Sequence, residues 1–406
     1  MKFPSLSIRV AGVLLLPFVS LSIVNAQISV DSINNRPNVI NTAVPFLRIA
    51  PDARSGAMGD AGLALSADAN AIFWNTAKLS FAKVKKADGK MNDKNILGAA
   101  VTYTPWLREL VNDIYLASLG GFYKINDNQA LAVGLRYFSL GSITFTDASG
   151  NTLGDFNPSE FALDAGYSRK LTDHFSTGLN LGFVYSNLAQ GYSVNNVPIK
   201  AGTAVTADIS FFYNHPAKFG STIKGEYNIA ATVANIGNKI TYTESAENKD
   251  FLPTNLGLGG GVTFEFDAYN KLTYDLDFNK LLVPTPDSSG SYRSKSPVSG
   301  IFGSFTDAPD GAGEELREIT ISTGAEYWYK DLFSVRAGYF HEDQTKGGRQ
   351  FLTAGLGIKY NVFGLNFSYL IPTSNQKSPL DNTLRFTLYF DFDAMKGQEA
   401  APEDTE

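Results

Sequence analysis

Residues 271–280, KLTYDLDFNK, alternate strictly between two kinds of side chain. Leu272, Tyr274, Leu276 and Phe278 are apolar or aromatic, and Thr273, Asp275, Asp277 and Asn279 between them are polar. A period of two places the sets on opposite faces of an extended strand. The theme recurs from residue 97 onward in about fourteen segments of about ten residues. They lie near 97–104, 114–124, 129–138, 159–169, 175–187, 203–213, 226–236, 254–266, 271–280, 319–329, 333–342, 351–361, 363–370 and 382–393. The connections alternate too. Short ones fall at 125–128, 170–174, 267–270, 330–332 and 361–362, with one longer turn at 214–225. Longer loops fall at 139–158, 188–202, 237–253 and 281–318. This sorting puts tight turns on one rim and long loops on the other, as in an outer-membrane barrel. A two-sheet sandwich gives no reason for it.

The pattern predicts an all-β fold: a fourteen-stranded antiparallel transmembrane β-barrel with oily residues turned to lipid. Asp275 and Asp277 then point into an enclosed centre, where a charge avoids the lipid penalty of about 2–4 kcal/mol for Arg or Lys and less for Asp or Glu. Charged residues make up 18% of the chain, below the roughly 25% of soluble domains, which fits a lipid-facing wall. Glycines recur on the polar face, as in 257, 259 and 261. They leave space inside the barrel, and the N-terminal segment is the candidate to fill it. Residues 48–82, RIAPDARSGAMGDAGLALSADANAIFWNTAKLSFA, are rich in Ala and Gly. They predict a small helical hatch in the lumen, with Asp68 capping a short helix over 69–79.

The ends bound the domain order. Lys2 and Arg9, the apolar run 10–24 and the Val24-Asn25-Ala26 ending read as a signal peptide over 1–26, with Gln27 as the mature start. Residues 27–46 are polar with Pro37 and Pro45 and predict an extended arm; 47–96 hold the hatch and a charged linker; 97–393 form the barrel; 394–406 are a disordered acidic tail. The formal charge of −6 becomes −8 once Lys2 and Arg9 are removed, which speaks against nucleic acid as a partner. There is no cysteine, so no disulfide holds the exported chain. No apolar run past the signal reaches the length of a helical span.

The stretch 48–82 resembles the N-terminal hatch of FadL-like outer-membrane proteins, which ends in an Asn-Pro-Ala motif before the barrel. The matching residues are Asn75, Thr76 and Ala77, with threonine in place of proline. PFLRIAPDARSGAMGDAG, ADANAIFWNTAKL, TYTPWLREL and the ending LRFTLYFDFDAMKG resemble the PorV (LptO) family of the type IX secretion system of Bacteroidota. The resemblance covers essentially the whole mature chain. It implies a fourteen-stranded FadL-like barrel in the outer membrane, in contact with lipid and lipopolysaccharide, that works as a shuttle rather than a pore. Such proteins receive cargo by its C-terminal signal domain from the SprA translocon and pass it to the PorU-containing attachment complex. Two other functions stay open: FadL-type transport of hydrophobic solutes such as fatty acids, and lipid A deacylation.

No constellation predicts catalysis, a metal or a cofactor, so the chain reads as a non-enzyme. His174, His215 and His341 sit in turns or at a strand end, with no i, i+4 pair. His341 is followed by Glu342 and Asp343, which reads as a polar strand end rather than an acid–base relay. Ser221 and Lys224 have Ser-x-x-Lys spacing inside a polar turn, a match that arises by chance. The glycines at 257–261 are followed by no helix and make a poor nucleotide loop. The long loops carry more. Ile301, Phe302 and Phe305 lie in a Ser/Pro/Gly-rich loop, where they either cap the barrel mouth or bind a partner chain. Trp106, Leu107 and Leu110 form a second apolar patch, an interfacial anchor or a docking edge, and Ile143 and Phe145 belong to a hairpin on the same rim.

Overall fold

The computed structural model describes residues 37–85, 91–93, 95–107, 111–146, 149–194, 197–244, 249–287, 289–373 and 382–392. The signal segment 1–26, the arm residues 27–36, the linker residues 86–90 and the tail 394–406 lie outside the described residues. Fourteen antiparallel strands close into one barrel. They are β1 (Ile96–Pro105), β2 (Ile114–Asn126), β3 (Gln129–Leu140), β4 (Ser159–Lys170), β5 (Phe175–Asn187), β6 (Gly202–Phe219), β7 (Ile223–Gly237), β8 (Asn255–Glu265), β9 (Asn270–Leu281), β10 (Ile319–Tyr329), β11 (Phe333–His341), β12 (Gln350–Tyr360), β13 (Phe363–Pro372) and β14 (Leu384–Asp391). Each pairs with the next, and β14 closes onto β1 with Phe386 opposite Tyr103. Closure leaves no sheet edge unpaired, the condition for crossing lipid with strands.

Tight reversals sit on one rim, at 127–128, 171–174, 220–222, 266–269, 330–332 and 361–362. Lys330 and Asp331 both take left-handed φ, 56° and 55°, as a primed hairpin turn requires. The long connections sit on the other rim. One expectation is corrected: 214–225 is mostly strand, and the turn shrinks to Gly220, Ser221 and Thr222. Asn214 anchors the extension, donating from Nδ2 to Glu226 Oε2 at 2.9 Å and Asn228 Oδ1 at 2.8 Å. Pro216 does not break the ladder. The Asn214 N–H points to the β5 side, toward His174 O, so the nitrogen two residues on faces the same way. There β5 has already ended at Phe175, opposite Tyr213, and no donor is needed.

The two strand faces differ as the alternation requires. On β9, Asp275 and Asp277 are fully buried inside, while Tyr274 and Phe278 stand exposed outside. Val101, Leu119, Val133, Leu181, Val205, Ile229, Leu356 and Leu365 continue the exposed apolar belt. Such a continuous belt far exceeds the patches of soluble monomers. Tyr123, Tyr167, Tyr329 and Tyr360 ring the tight-turn rim, and Tyr103 and Tyr137 the other, as interfacial aromatics do.

The lumen is filled by the chain itself. At the long-loop rim, Asn38 N–H donates to Thr345 O and Ala43 N–H to Phe251 O, both at 2.9 Å. Val44, Phe46 and Leu47 then pack on Leu116, Phe138, Ala162 and Val184 of the inner wall. A short helix, α1 (Ala53–Gly56), is capped by Asp52, which accepts from Ser55 N–H. From there the hatch sweeps past β14 toward β7, crosses to β2 and β3, and ends against β4–β6. Asp68 caps no helix over 69–79. That stretch breaks into two 3-10 turns, Ala71–Phe73 and Thr76–Phe81. The break has a cause: Trp74 is drawn to Asp52, donating from Nε1 at 2.7 Å, and Asn75 is extended with φ −157°.

Inward glycines form the bed for this path. A Cβ on Gly355 would stand 2.3 Å from Ala57 Cβ, on Gly324 2.6 Å from Met58 Cα, and on Gly338 2.1 Å from Gly59 N. On Gly259 it would meet Leu63 Cβ at 2.8 Å, on Gly120 Ala69 O at 2.4 Å, and on Gly178 Ala77 N at 2.6 Å. Outward Gly260 has nothing within 4 Å. Gly338→Val is therefore expected to lose about 1–3 kcal/mol through overpacking against hatch backbone, while Gly260→Val leaves stability unchanged. Thermal unfolding of the detergent-purified variants checks the contrast.

Candidate functional site

The hatch has little regular structure, so its buried peptide groups need partners elsewhere. Wall side chains supply them. Asp277 Oδ2 accepts from Gly62 N–H at 2.7 Å and Leu63 N–H at 2.9 Å. Thr353 Oγ1 accepts from Gly59 N–H and donates to Ala57 O, both at 2.9 Å. Asn228 Nδ2 donates to Ala64 O, and Asn180 Nδ2 to Ile72 O, each at 3.0 Å. The polar face inferred from the alternation is thus a hydrogen-bonding lining for one particular peptide.

Asn75, Thr76 and Ala77 form the tightest knot of this lining. Asn75 Oδ1 accepts from Ala77 N–H at 3.0 Å, and Nδ2 donates to Phe211 O at 3.0 Å. Ala77 O accepts from Ser176 Oγ at 2.7 Å and Ser168 Oγ at 2.8 Å. Thr76 Oγ1 donates to Asn180 Oδ1 at 2.6 Å, a bond that proline at this position would lack.

An ion network that the sequence reading did not assemble fixes the hatch across the barrel. Arg54 forks onto Glu326, Nε to Oε2 at 2.9 Å and Nη2 to Oε1 at 2.8 Å. Arg336 Nε donates to the same Glu326 Oε2 at 2.7 Å. Arg54 Nη1 also reaches Asp68 at 3.0 Å, so Asp68 serves an ion pair instead of a long helix. All of Arg54, Glu326 and Arg336 are buried. The signal was present as lone charges on the inward face of alternating strands; their convergence was not.

At the outer rim, the connection 282–318 is folded. It holds α2 (Pro297–Gly303), capped by Ser296, and α3 (Ala312–Arg317). Lysines lock α3 over the mouth: Lys346 Nζ pairs with Glu314 and Glu318, and Lys280 Nζ with Glu315 and Glu318. Asn38 of the arm joins through Glu314 Oε1 at 3.1 Å. Burial opposes ionisation of Glu314, but the Lys346 ammonium and the Asp310 N–H outweigh it and hold the carboxyl below its ordinary range. The other half of the connection faces away. Phe302 on α2 is 75% exposed, with Val298 and Phe305 also exposed and Ile301 half-buried.

The remaining rim residues separate. Trp106 packs half-buried against the arm cluster. Leu107 takes left-handed φ at 54° where the β1–β2 connection turns, and Leu110 lies outside the described residues. Phe145 stacks on Tyr192 of the next loop with centroids 3.8 Å apart, while Ile143 of the same hairpin stands exposed. Around His341, Glu342 is taken by Arg349 in a two-point pair at 2.8 Å. Asp343 accepts from Thr345 N–H at 2.8 Å. Both carboxylates are committed to loop geometry.

The family model described as type IX secretion system protein PorV matches residues 32–288, more than half of the chain. The chain belongs to the PorV family. It is an outer-membrane β-barrel of the type IX secretion system. No curated protein matches it. Among solved structures it is similar to the Pseudomonas putida toluene transporter TodX, at 13% identity and TM-score 0.45 over 88% of this chain and 100% of that one. It is also similar to the Ralstonia pickettii toluene transporter TbuX, at 10% identity and TM-score 0.44 over 84% and 97%. A Pseudomonas aeruginosa FadL homologue gives 12% identity and TM-score 0.38 over 88% and 100%. In this PorV-family barrel the hatch, arm and rim are one continuous bonded unit.

Glu326→Gln is expected to cost about 3–5 kcal/mol, since two buried guanidiniums lose their shared carboxylate; protease access to the hatch and thermal unfolding measure it. The α3 lock has a pH dependence of defined sign. A carboxyl lowered on folding contributes stability above its unfolded value, about 4.3 for glutamate, and loses it as pH falls through the folded value. Hydrogen exchange over 312–317 is expected to speed up below about pH 4, and Lys346→Met to produce the same loosening at neutral pH.

Proposed function

We propose that the chain is a non-enzymatic shuttle of the type IX secretion system. It binds the C-terminal signal domain of cargo released by the SprA translocon and delivers it to the PorU-containing attachment complex. The signal peptide 1–26 is removed on export, and the tail 394–406 stays in the periplasm. One observation carries this reading: the bore is occupied from rim to rim by bonded chain, while exposed apolar side chains stand on a folded, ion-locked loop at the outer rim. Work done on the rim suits such a molecule better than passage through it. The closed barrel holds the rim at the surface and lets it move laterally in the outer membrane. Release needs only a difference in affinity between successive complexes.

The recognition surface is the exposed side of α2 and its continuation, with Phe302 as anchor, Phe305 and Val298 beside it, and Ile301 half-buried behind. Ile143, exposed on the hairpin between β3 and β4, offers a separate apolar side chain on the same rim. Large exposed aromatics on a rigid support are the usual anchors of binding surfaces. FadL-type transport requires the hatch to leave its glycine bed, and lipid A deacylation requires a nucleophile near His341.

Phe302→Asp with Phe305→Ser is expected to reduce capture of a purified cargo signal domain at least tenfold, with heat-modifiable mobility of the barrel on gels unchanged. Wild-type protein that captures neither this domain nor SprA but carries labelled fatty acid into liposomes overturns the shuttle in favour of solute transport.

A further inference from the structure

Beneath the rim, where the arm enters the barrel, two adjoining cavities of about 170 and 100 Å³ share Arg48 and Arg349 in their walls. The smaller also receives Arg385 from β14 and Asp60 from the hatch, with Trp106 and Phe351 among its apolar lining. Three arginines therefore line a space that holds several waters at about 30 Å³ each.

The charges do not balance. Arg349 is taken by Glu342 through its two-point pair. Arg385, whose side chain is 1% exposed, touches Asp60 with Nη2 at 3.4 Å. Its Nε and Nη1 are buried without a hydrogen-bond partner among the described residues. Arg48 has no ion-pair or hydrogen-bond partner for its side chain among them either. Lys346 and Glu318, also in the wall of the larger cavity, pair with each other at 2.9 Å. The remaining two carboxylates, Asp60 and Glu342, against three arginines leave one positive charge in the walls unmatched. Unpaired buried donors each carry a desolvation cost, and guanidinium forks suit oxyanions.

We infer that this cavity is a binding site for a singly charged phosphoryl oxyanion, held by Arg48 and Arg385 with Arg349 beside them. The charge count favours one negative charge, as on a phosphodiester or dihydrogen phosphate. The apolar walls suit the carbon skeleton that a lipid headgroup brings with it. Burial and the nearby Arg349 pull Arg48 down to about 10, and an anion in the cavity reverses that shift. Because Arg48 belongs to the start of the hatch and Arg385 to the wall, an occupant ties the two together.

Calorimetric titration of the full-length protein in a non-ionic detergent tests the assignment, using inorganic phosphate, dihexanoyl phosphatidylglycerol, neutral dihexanoylglycerol and decanoate. Binding of phosphate and of the phosphatidylglycerol, each weakened at least tenfold by Arg48→Gln, supports the site. Binding of phosphatidylglycerol without phosphate supports it with a lipid headgroup as source, and phosphate alone supports it with the free ion. Arg385→Gln is expected to abolish binding. If that variant fails to fold, Arg48→Gln still decides, since its side chain holds no partner to lose. Binding of decanoate alone, equal binding of neutral dihexanoylglycerol, no binding of either phosphoryl probe, or binding indifferent to Arg48→Gln overturns the inference.

Discussion

An irregular peptide buried in a closed barrel must have its backbone hydrogen-bonded, and here the wall does it. That requirement explains why the inward face of the strands is polar without being wet. Asp277, Thr353, Asn228, Asn180, Ser168 and Ser176 face inward and bond to hatch peptide groups. A purely apolar lining would leave those groups orphaned at about 1–3 kcal/mol each. Glycine is the complementary device, since close approach of two backbones leaves no room for a Cβ. The positions where the hatch lies nearest the wall, at Gly338, Gly355 and Gly120, are positions where a methyl group would collide with it.

The rim depends on the same bonding. With arm and hatch seated, Asn38 sits beside Glu314, and the lysines from β9 and the β11–β12 connection close α3 over the mouth. The long connection is therefore a supported structure whose α2 half is free to present apolar side chains. Such rigidity lowers the ordering cost of binding. A binding rim and a sealed bore are two consequences of one internal peptide.

Much of the architecture was legible in sequence because lipid imposes a period of two on every strand and sorts the loops by side. KLTYDLDFNK reveals its two faces without any partner strand. The 214–225 stretch misled because Asn214, His215 and Pro216 look like turn residues. Only the register with β7 shows that the stretch is strand, and only the register with β5 shows that the nitrogen of Pro216 points where no acceptor waits. Asp68 misled in the same way. Its spacing is that of a helix cap, but Arg54 claims its carboxylate, and Trp74 and Asn75 interrupt the helix for contacts with Asp52 and β6.

The sequence by itself determined the fold class, the strand segments, the orientation of their faces, the presence of a small-residue hatch and the secretion family. These follow from local periodicity, composition and motif, each confined to a short window. Tertiary structure alone decided which glycine meets which hatch residue, and that Arg54, Glu326 and Arg336 converge across 272 and 10 positions of chain. It alone placed Arg48 beside Arg385 in one cavity and left Phe302 exposed while Phe145 is spent on Tyr192. The physical reason is that pairing between distant segments is set by barrel closure and the path of the hatch, and no local pattern encodes either.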